Sequence, residues 1–200
     1  MAARGPNINC TAVHTGPLYI YNQFYKNTTA SSISVSHPSG AGYPQLVTPS
    51  PSGPHDYTFY ACSSNYMGWP TKQTIGAKTG NLTNYYGIIG KGAPDRSGLS
   101  QDCLIRDAIP ETASRADLVR YACNYMDAQI QRQQFWTLIY SPNGRHKYDL
   151  FPIVEPKGAD AVDTGFSIDA EGNTRLQFDG KYDSYLVAFL GEAGSPTPNV

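Results

Sequence analysis

The first strongly patterned stretch of the chain is GPLYIYNQFY, residues 16–25, where two kinds of side chain alternate. Leu18 and Ile20 fall on one side of the backbone, while Tyr19 and Tyr21 fall on the other. A repeat of two residues is typical of a β-strand with one buried face. The pattern therefore predicts a strand near the amino end.

Further short apolar runs follow, and turn-forming residues separate them. They are YTFYAC (57–62), YGII (86–89), DCLI (102–105), LVRYAC (118–123), QQFWTLIY (133–140), GFSID (165–169), TRLQF (174–178) and SYLVAFL (184–190). Asn143-Gly144 stands between two of these runs and indicates a hairpin. Residues 36–56 are rich in Pro, Ser and Gly, which predicts a long exposed loop.

Composition supports an all-β fold of one domain. The chain has 200 residues with 15 Tyr, 19 Gly and 15 Pro, and 16% of its residues are charged. Tyr favours strands, while Gly and Pro favour the turns between them. We expect a single domain over residues 1–190 and a loose tail over 191–200. A β-sandwich is one alternative architecture.

A second alternative is an α+β fold with a helix at about 114–134. Within this segment Leu118, Ala122 and Ile130 lie at helical spacing, and Ser114 is of a residue type that favours the N-cap. A repeated motif argues for a strand instead, because FYACSSNYM (59–67) returns as RYACNYM (120–126). The first copy follows strand-forming residues, and two related copies should share one conformation.

The net charge of -1 and the lack of a long apolar run exclude two classes of partner. No basic stripe is available for a nucleic acid, and no segment approaches the ~18 apolar residues of a membrane span. The four cysteines form no Cys-x-x-Cys pair and none is close to a pair of histidines, so no metal or cofactor is predicted. Two disulfides are the favoured interpretation, and four free thiols in a cytosolic protein are the alternative.

The compartment and the chemistry follow from the same residues. Disulfides favour secretion, and Asn27 and Asn81 start glycosylation sequons. Asn9 also starts a sequon, whose middle residue is a cysteine.

No common catalytic motif is present, so we expect no enzyme activity. The alternative is a glycoside hydrolase with a carboxylate pair. Its candidate carboxylates are Asp102, Asp107, Glu111, Asp117 and Asp127.

Residues 85–140 resemble one repeat of the ricin B-type lectins. The resemblance rests on an ordered set: Gly87-Ile88-Ile89, Cys103-Leu104, a strand closing on Cys123, and Gln134-Phe135-Trp136. It implies a β-trefoil of three such units, although the third, at about 141–190, has no cysteine and no Gln-x-Trp. The chain is also similar to secreted fungal lectin-like proteins, some of which are non-catalytic small subunits of oxidases.

The resemblance also implies which residues pair and pack. Each disulfide should join strands of one unit, which gives Cys10–Cys62 and Cys103–Cys123. The Trp136 ring should be buried near the strand that ends in Cys123.

The sugar sites of the family imply three candidate residues here. An aspartate two residues after the first cysteine and an aromatic two residues before the second bind sugar in that family. This chain has Ile105 and Tyr121 at those places, and Asp107 shares the strand face only if no bulge intervenes. Gln134 of the Gln-x-Trp motif is the third candidate. Because the carboxylate is displaced, common mono- and disaccharides should bind weakly or not at all.

The expected function is that of a secreted, non-catalytic, lectin-like binding protein. Its partner would be a carbohydrate or a larger secreted protein, such as a fungal oxidase that it serves as an accessory small subunit. The alternative is a trefoil-type protease inhibitor that acts through the predicted loop at 36–56.

Overall fold

The structure is a computed structural model, and it describes residues 7–22, 31–35, 45–49, 55–77, 80–91, 98–144, 146–170, 173–180 and 186–192. Within these ranges almost every regular element is a strand. No helix among them is both long and apolar enough to cross a membrane. The predicted all-β class is therefore confirmed for the described part of the chain.

The described residues contain thirteen strands and one short helix. The strands are β1 (Asn9–Asn22), β2 (Ser31–Val35), β3 (Gln45–Pro49), β4 (Asp56–Ser63), β5 (Lys72–Ala77), β6 (Gly80–Lys91), β7 (Asp102–Arg106), β8 (Arg115–Ala122), β9 (Trp136–Tyr140), β10 (Tyr148–Pro152), β11 (Gly165–Ile168), β12 (Thr174–Gln177) and β13 (Leu186–Leu190). The helix is α1 (Gln131–Gln134).

All thirteen strands belong to one antiparallel network. β1 pairs with β4 and β13, and β6 pairs with β4, β5, β7 and β9. β8 pairs with β7, β12 and β3. The hairpin predicted at Asn143-Gly144 joins β9 to β10. The threefold arrangement of a β-trefoil stays a prediction.

Trp136 lies in the largest buried cluster, which also contains Phe59 of β4 and Leu118 of β8. Its ring is fully buried, and its indole N–H donates a hydrogen bond to the carbonyl oxygen of Leu104, 3.3 Å away. Both strands that carry the Tyr-Ala-Cys motif therefore contribute side chains to the same core. The expected burial of Trp136 is confirmed.

The alternative of a helix at 114–134 is wrong. Residues Arg115–Ala122 form β8, and only Gln131–Gln134 are helical. β7 and β12 both offer backbone hydrogen-bond partners to β8, and its Ala116 and Leu118 are buried on the core side. Tertiary pairing thus overrides the helix propensity of the segment.

The predicted loop at 36–56 is interrupted by strand β3, which pairs with β2 and β8. Leu46, Val47 and Thr48 suit a strand because two of them are β-branched, and Pro49 stands at the strand end where proline is tolerated. Residues 36–44 and 50–54 lie outside the described residues. Strand β5 forms a hairpin with β6.

Both disulfides form as the resemblance implies. Cys10 of β1 is bonded to Cys62 of β4, with 4.1 Å between their Cα atoms. Cys103 of β7 is bonded to Cys123 just after β8, with 4.8 Å between their Cα atoms. Each copy of the Tyr-Ala-Cys motif therefore ends a strand that is cross-linked to a neighbouring strand.

Candidate functional site

A pocket of about 220 Å³ lies between the β7–β8 hairpin and helix α1, and we call it the Tyr121 pocket. It is lined by Ile105, Arg106, Asp107, Val119, Tyr121, Ala122, Asn124, Ile130, Gln133 and Gln134. Ile105 and Val119 stand opposite each other in register on the hairpin, so they provide an apolar floor. The three candidate residues from the sequence, Tyr121, Asp107 and Gln134, all line this one pocket.

Asp107 faces the pocket because no bulge interrupts the hairpin before it. The register runs from Ile105 opposite Val119 to Arg106 opposite Leu118, and the amide of Asp107 then donates to the carbonyl oxygen of Asp117 at 3.2 Å. Side chains two apart on a strand share one face. Asp107 is thus on the face of Ile105, one strand repeat away from the position where the lectin carboxylate was expected.

The carboxyl group of Asp107 is partly held by the hairpin. Its Oδ1 accepts a hydrogen bond from the backbone N–H of Asp117 at 2.8 Å. Partial burial raises the pKa of Asp107 above its ordinary value, and this outweighs the Asp117 hydrogen bond, which lowers it. The carboxyl group of Asp107 therefore protonates more readily than that of a fully solvated aspartate.

Tyr121 provides the aromatic wall of the pocket. Its side chain is 41% exposed, although its cross-strand partner Cys103 is fully buried. Its hydroxyl group makes no hydrogen bond with the described residues, so both the ring and its polar end are accessible to a ligand.

Gln134 has a structural role in the pocket wall. It is only 1% exposed, and its side chain donates to the carbonyl oxygen of Asn124 and to Oε1 of Gln131 and accepts from the amide of Asn124. These contacts use its polar atoms to fix the turn after β8. The polar group that sequence reasoning missed is the side-chain amide of Gln133, a half-buried residue of the lining, and this side chain makes no hydrogen bond with the described residues.

Arg106 holds helix α1 in place through hydrogen bonds from its side chain. Its fully buried guanidinium donates to the carbonyl oxygens of Phe135 at 3.1 Å, Arg132 at 2.5 Å and Ile153 at 3.0 Å, and it lies 5.0 Å from the centre of the Trp136 ring. Burial and the nearby Arg132 lower its pKa to about 9, so the group stays charged at neutral pH. Arg106 therefore fixes the helix that carries Gln133.

The other predicted sites fall elsewhere. Asn81 is exposed in the β5–β6 hairpin, and Asn9 is exposed at the start of β1. Asn27 lies outside the described residues. Within the described ranges no group of three His, Cys, Asp or Glu side chains is placed to hold a metal ion.

Comparison with known proteins found no family model, curated protein or solved structure that matches this chain. The chemistry of the Tyr121 pocket is therefore the basis for a functional proposal. A pocket with an aromatic ring, an apolar floor and polar groups at its edge can bind a small ring-shaped molecule. Such a molecule would have apolar faces and polar groups around its edge. The described pocket contains one carboxylate, Asp107, whereas glycoside hydrolysis ordinarily needs two.

Proposed function

We propose that this chain is a secreted, non-catalytic binding protein that takes a sugar ring in the Tyr121 pocket. The observation that carries the proposal is the position of Tyr121 and Asp107 beside one apolar floor. A sugar presents C–H groups on its faces and hydroxyl groups at its edge. The Tyr121 ring can stack on a face while the Asp107 carboxylate accepts from hydroxyl groups.

The size and the polar groups of the pocket support a single ring. Its volume of about 220 Å³ is below the roughly 300 to 1,000 Å³ of sites for drug-sized ligands. The side-chain amide of Gln133 and the hydroxyl group of Tyr121 add hydrogen-bond donors at the rim of the pocket. Because Asp107 is displaced from the Ile105 position, we expect millimolar dissociation constants for free monosaccharides.

Secretion is part of the same proposal. Two disulfides connect strands of the core, and such bonds persist mainly in oxidising compartments. Asn81, which is exposed, would then be available to carry a glycan.

The test is a glycan array followed by calorimetry of the best ligands. We expect Tyr121→Ala to abolish binding, since the exposed ring is the stacking platform. Phe151→Ala is the matched control, because Phe151 is 44% exposed but does not line the pocket. Sugar binding that survives Tyr121→Ala, or no sugar binding at all, would overturn the proposal.

The second candidate function is that of an accessory subunit of a larger secreted enzyme. It is favoured by two exposed apolar side chains in the repeated motif, Tyr66 at 37% and Met126 at 42% exposure. Asp127 joins these two copies, because its carboxylate accepts from the amide of Tyr66 at 3.1 Å. Aromatic residues and methionine are enriched at protein interfaces. Native mass of the protein from its source tests this: a large co-purifying chain that Tyr66→Ala releases supports it, and a monomer contradicts it.

A further inference from the structure

A second pocket, of about 250 Å³, lies between Trp69 and the loop that follows β10, and we call it the Trp69 pocket. Its walls are mostly apolar and include Val154, Pro156 and Val162. Among the residues that line it, Glu155 is the one with a charged side chain. This pocket shares no lining residue with the Tyr121 pocket.

The Trp69 ring is held in place from two directions. It stacks on the ring of Tyr86 with centroids 5.0 Å apart and an angle of 13° between the planes. Its indole N–H donates to the carbonyl oxygen of Glu155 at 3.3 Å. The loop is fixed as well, since the amide of Lys157 donates to the carbonyl oxygen of Met67 at 2.8 Å. The pocket is therefore largely pre-formed.

The lining of the pocket places the carboxylate of Glu155 together with the indole ring of Trp69. Glu155 and Glu111 both contact the same guanidinium nitrogen of Arg132, so two carboxylates share one positive charge. A carboxylate beside an indole ring attracts cations, the carboxylate through its charge and the ring through its electron-rich face.

We propose that the Trp69 pocket binds a small quaternary ammonium group of the choline type. The methyl groups of such an ion suit the apolar walls, and its positive charge suits the Trp69 ring and Glu155. A metal ion or a primary ammonium is a poor ligand here, because each loses more hydration than the apolar walls replace.

Fluorescence titration with choline tests the proposal. The chain has two tryptophans, and Trp136 is buried in the core, so Trp69 reports on the pocket. We expect saturable quenching in the low-millimolar range. The neutral isostere 3,3-dimethylbutan-1-ol, which has the same shape without the charge, should bind about tenfold more weakly.

Three variants separate the contributions. Glu155→Gln should weaken choline binding about tenfold and leave the neutral isostere unchanged, while Asp160→Asn, on the same loop but outside the lining, should have little effect. Val162→Phe should fill the pocket and block both ligands while leaving the Trp69 and Glu155 contacts in place.

Equal affinity for choline and its isostere, or choline binding that survives Val162→Phe, would overturn the proposal. Lysine amide serves as a further arm: binding as tight as that of choline would also contradict a quaternary ammonium site. None of these outcomes depends on whether sugar binds at the Tyr121 pocket.

Discussion

Asp127 accepts a hydrogen bond from the hydroxyl group of Ser64 at 2.5 Å, and this contact joins the two copies of the repeated motif. Ser64 belongs to the turn of the first copy, and Asp127 directly follows the second copy. The same carboxylate accepts from the amides of Asn65 at 2.7 Å and Tyr66 at 3.1 Å. The repetition in the sequence therefore corresponds to a physical contact in the fold.

The first prediction concerns this carboxylate. Asp127→Asn should lower the free energy of unfolding by about 1 to 2 kcal/mol at pH 7, since it weakens hydrogen bonds that act like an N-cap. Urea denaturation measures the change, with Asp160→Asn, an exposed carboxyl without a hydrogen bond among the described residues, as the control. An equal effect of both substitutions would contradict the role of Asp127.

Acid should reproduce the effect of that substitution. Partial burial alone would raise the pKa of Asp127, but the hydrogen bonds from Ser64, Tyr66 and Asn65 outweigh it and lower the pKa. The folded state therefore binds this proton more weakly than the unfolded state. The stabilisation is present above the pKa of the unfolded chain and is lost as the pH falls through the lower pKa of the folded state.

The second prediction concerns the pH dependence of sugar binding. Because the pKa of Asp107 is raised, its carboxylate should protonate at a higher pH than an ordinary aspartate. Sugar affinity should therefore begin to fall, on acidification, at a higher pH than an ordinary aspartate would give. Asp107→Asn should weaken binding about tenfold at pH 7, which corresponds to one strong hydrogen bond, and should flatten the pH profile. Calorimetry at several pH values checks this, and an unchanged profile in the variant would show that another group titrates.

The third prediction concerns Asp149 in β10. Burial raises its pKa to about 6. Since the folded state binds this proton more tightly than the unfolded state, its contribution to stability is greatest below the unfolded pKa and is lost as the pH rises through about 6. Asp149→Asn should thus stabilise the protein at pH 8 by about 1 to 2 kcal/mol, after a discount for solvent screening. At pH 4 the variant and the parent should unfold at similar urea concentrations; a gain of equal size at both pH values would argue against titration of Asp149.

The fourth prediction concerns the buried guanidinium of Arg106. Arg106→Leu leaves the carbonyl oxygens of Phe135, Arg132 and Ile153 without the donor that Arg106 supplies. It should therefore lower the free energy of unfolding by about 3 to 5 kcal/mol. Arg120→Leu is the control, because that arginine forms only a partly exposed ion pair with Asp102 at 3.5 Å and should cost less than about 1 kcal/mol. Thermal unfolding of both variants measures the difference, and similar losses would refute the anchoring role.

The fifth prediction compares the two disulfides. The Cys10–Cys62 bond closes 52 residues and the Cys103–Cys123 bond closes 20. By the loop-entropy relation, replacing the first pair with alanine should cost about 4 kcal/mol and replacing the second about 3 kcal/mol. Denaturant midpoints of the two double variants test the order; a larger loss at Cys103–Cys123 would mean that native contacts, and not loop length, dominate.

Much of the fold could be predicted from local patterns. The alternation around Leu18 and the runs at YTFYAC and DCLI predict strands that the structure contains. Strand β3 was missed because its proline-rich neighbours outweigh its own three strand-forming residues. The segment that forms β8 was ambiguous because its residues suit both a helix and a strand, and only its partners β7 and β12 decide.

The sequence alone determined the all-β class, because strand patterns depend on residue type. The resemblance to a lectin repeat implied the two disulfide pairings and the burial of Trp136, although Cys10 and Cys62 are 52 residues apart along the chain. Only the tertiary structure decided that Asp107 shares a strand face with Ile105, since a bulge would have reversed its direction. It also placed α1 over the β7–β8 hairpin, which brought Gln133 to Tyr121 and turned Gln134 inward. Such contacts depend on how elements pack, and no local pattern of residues encodes that packing.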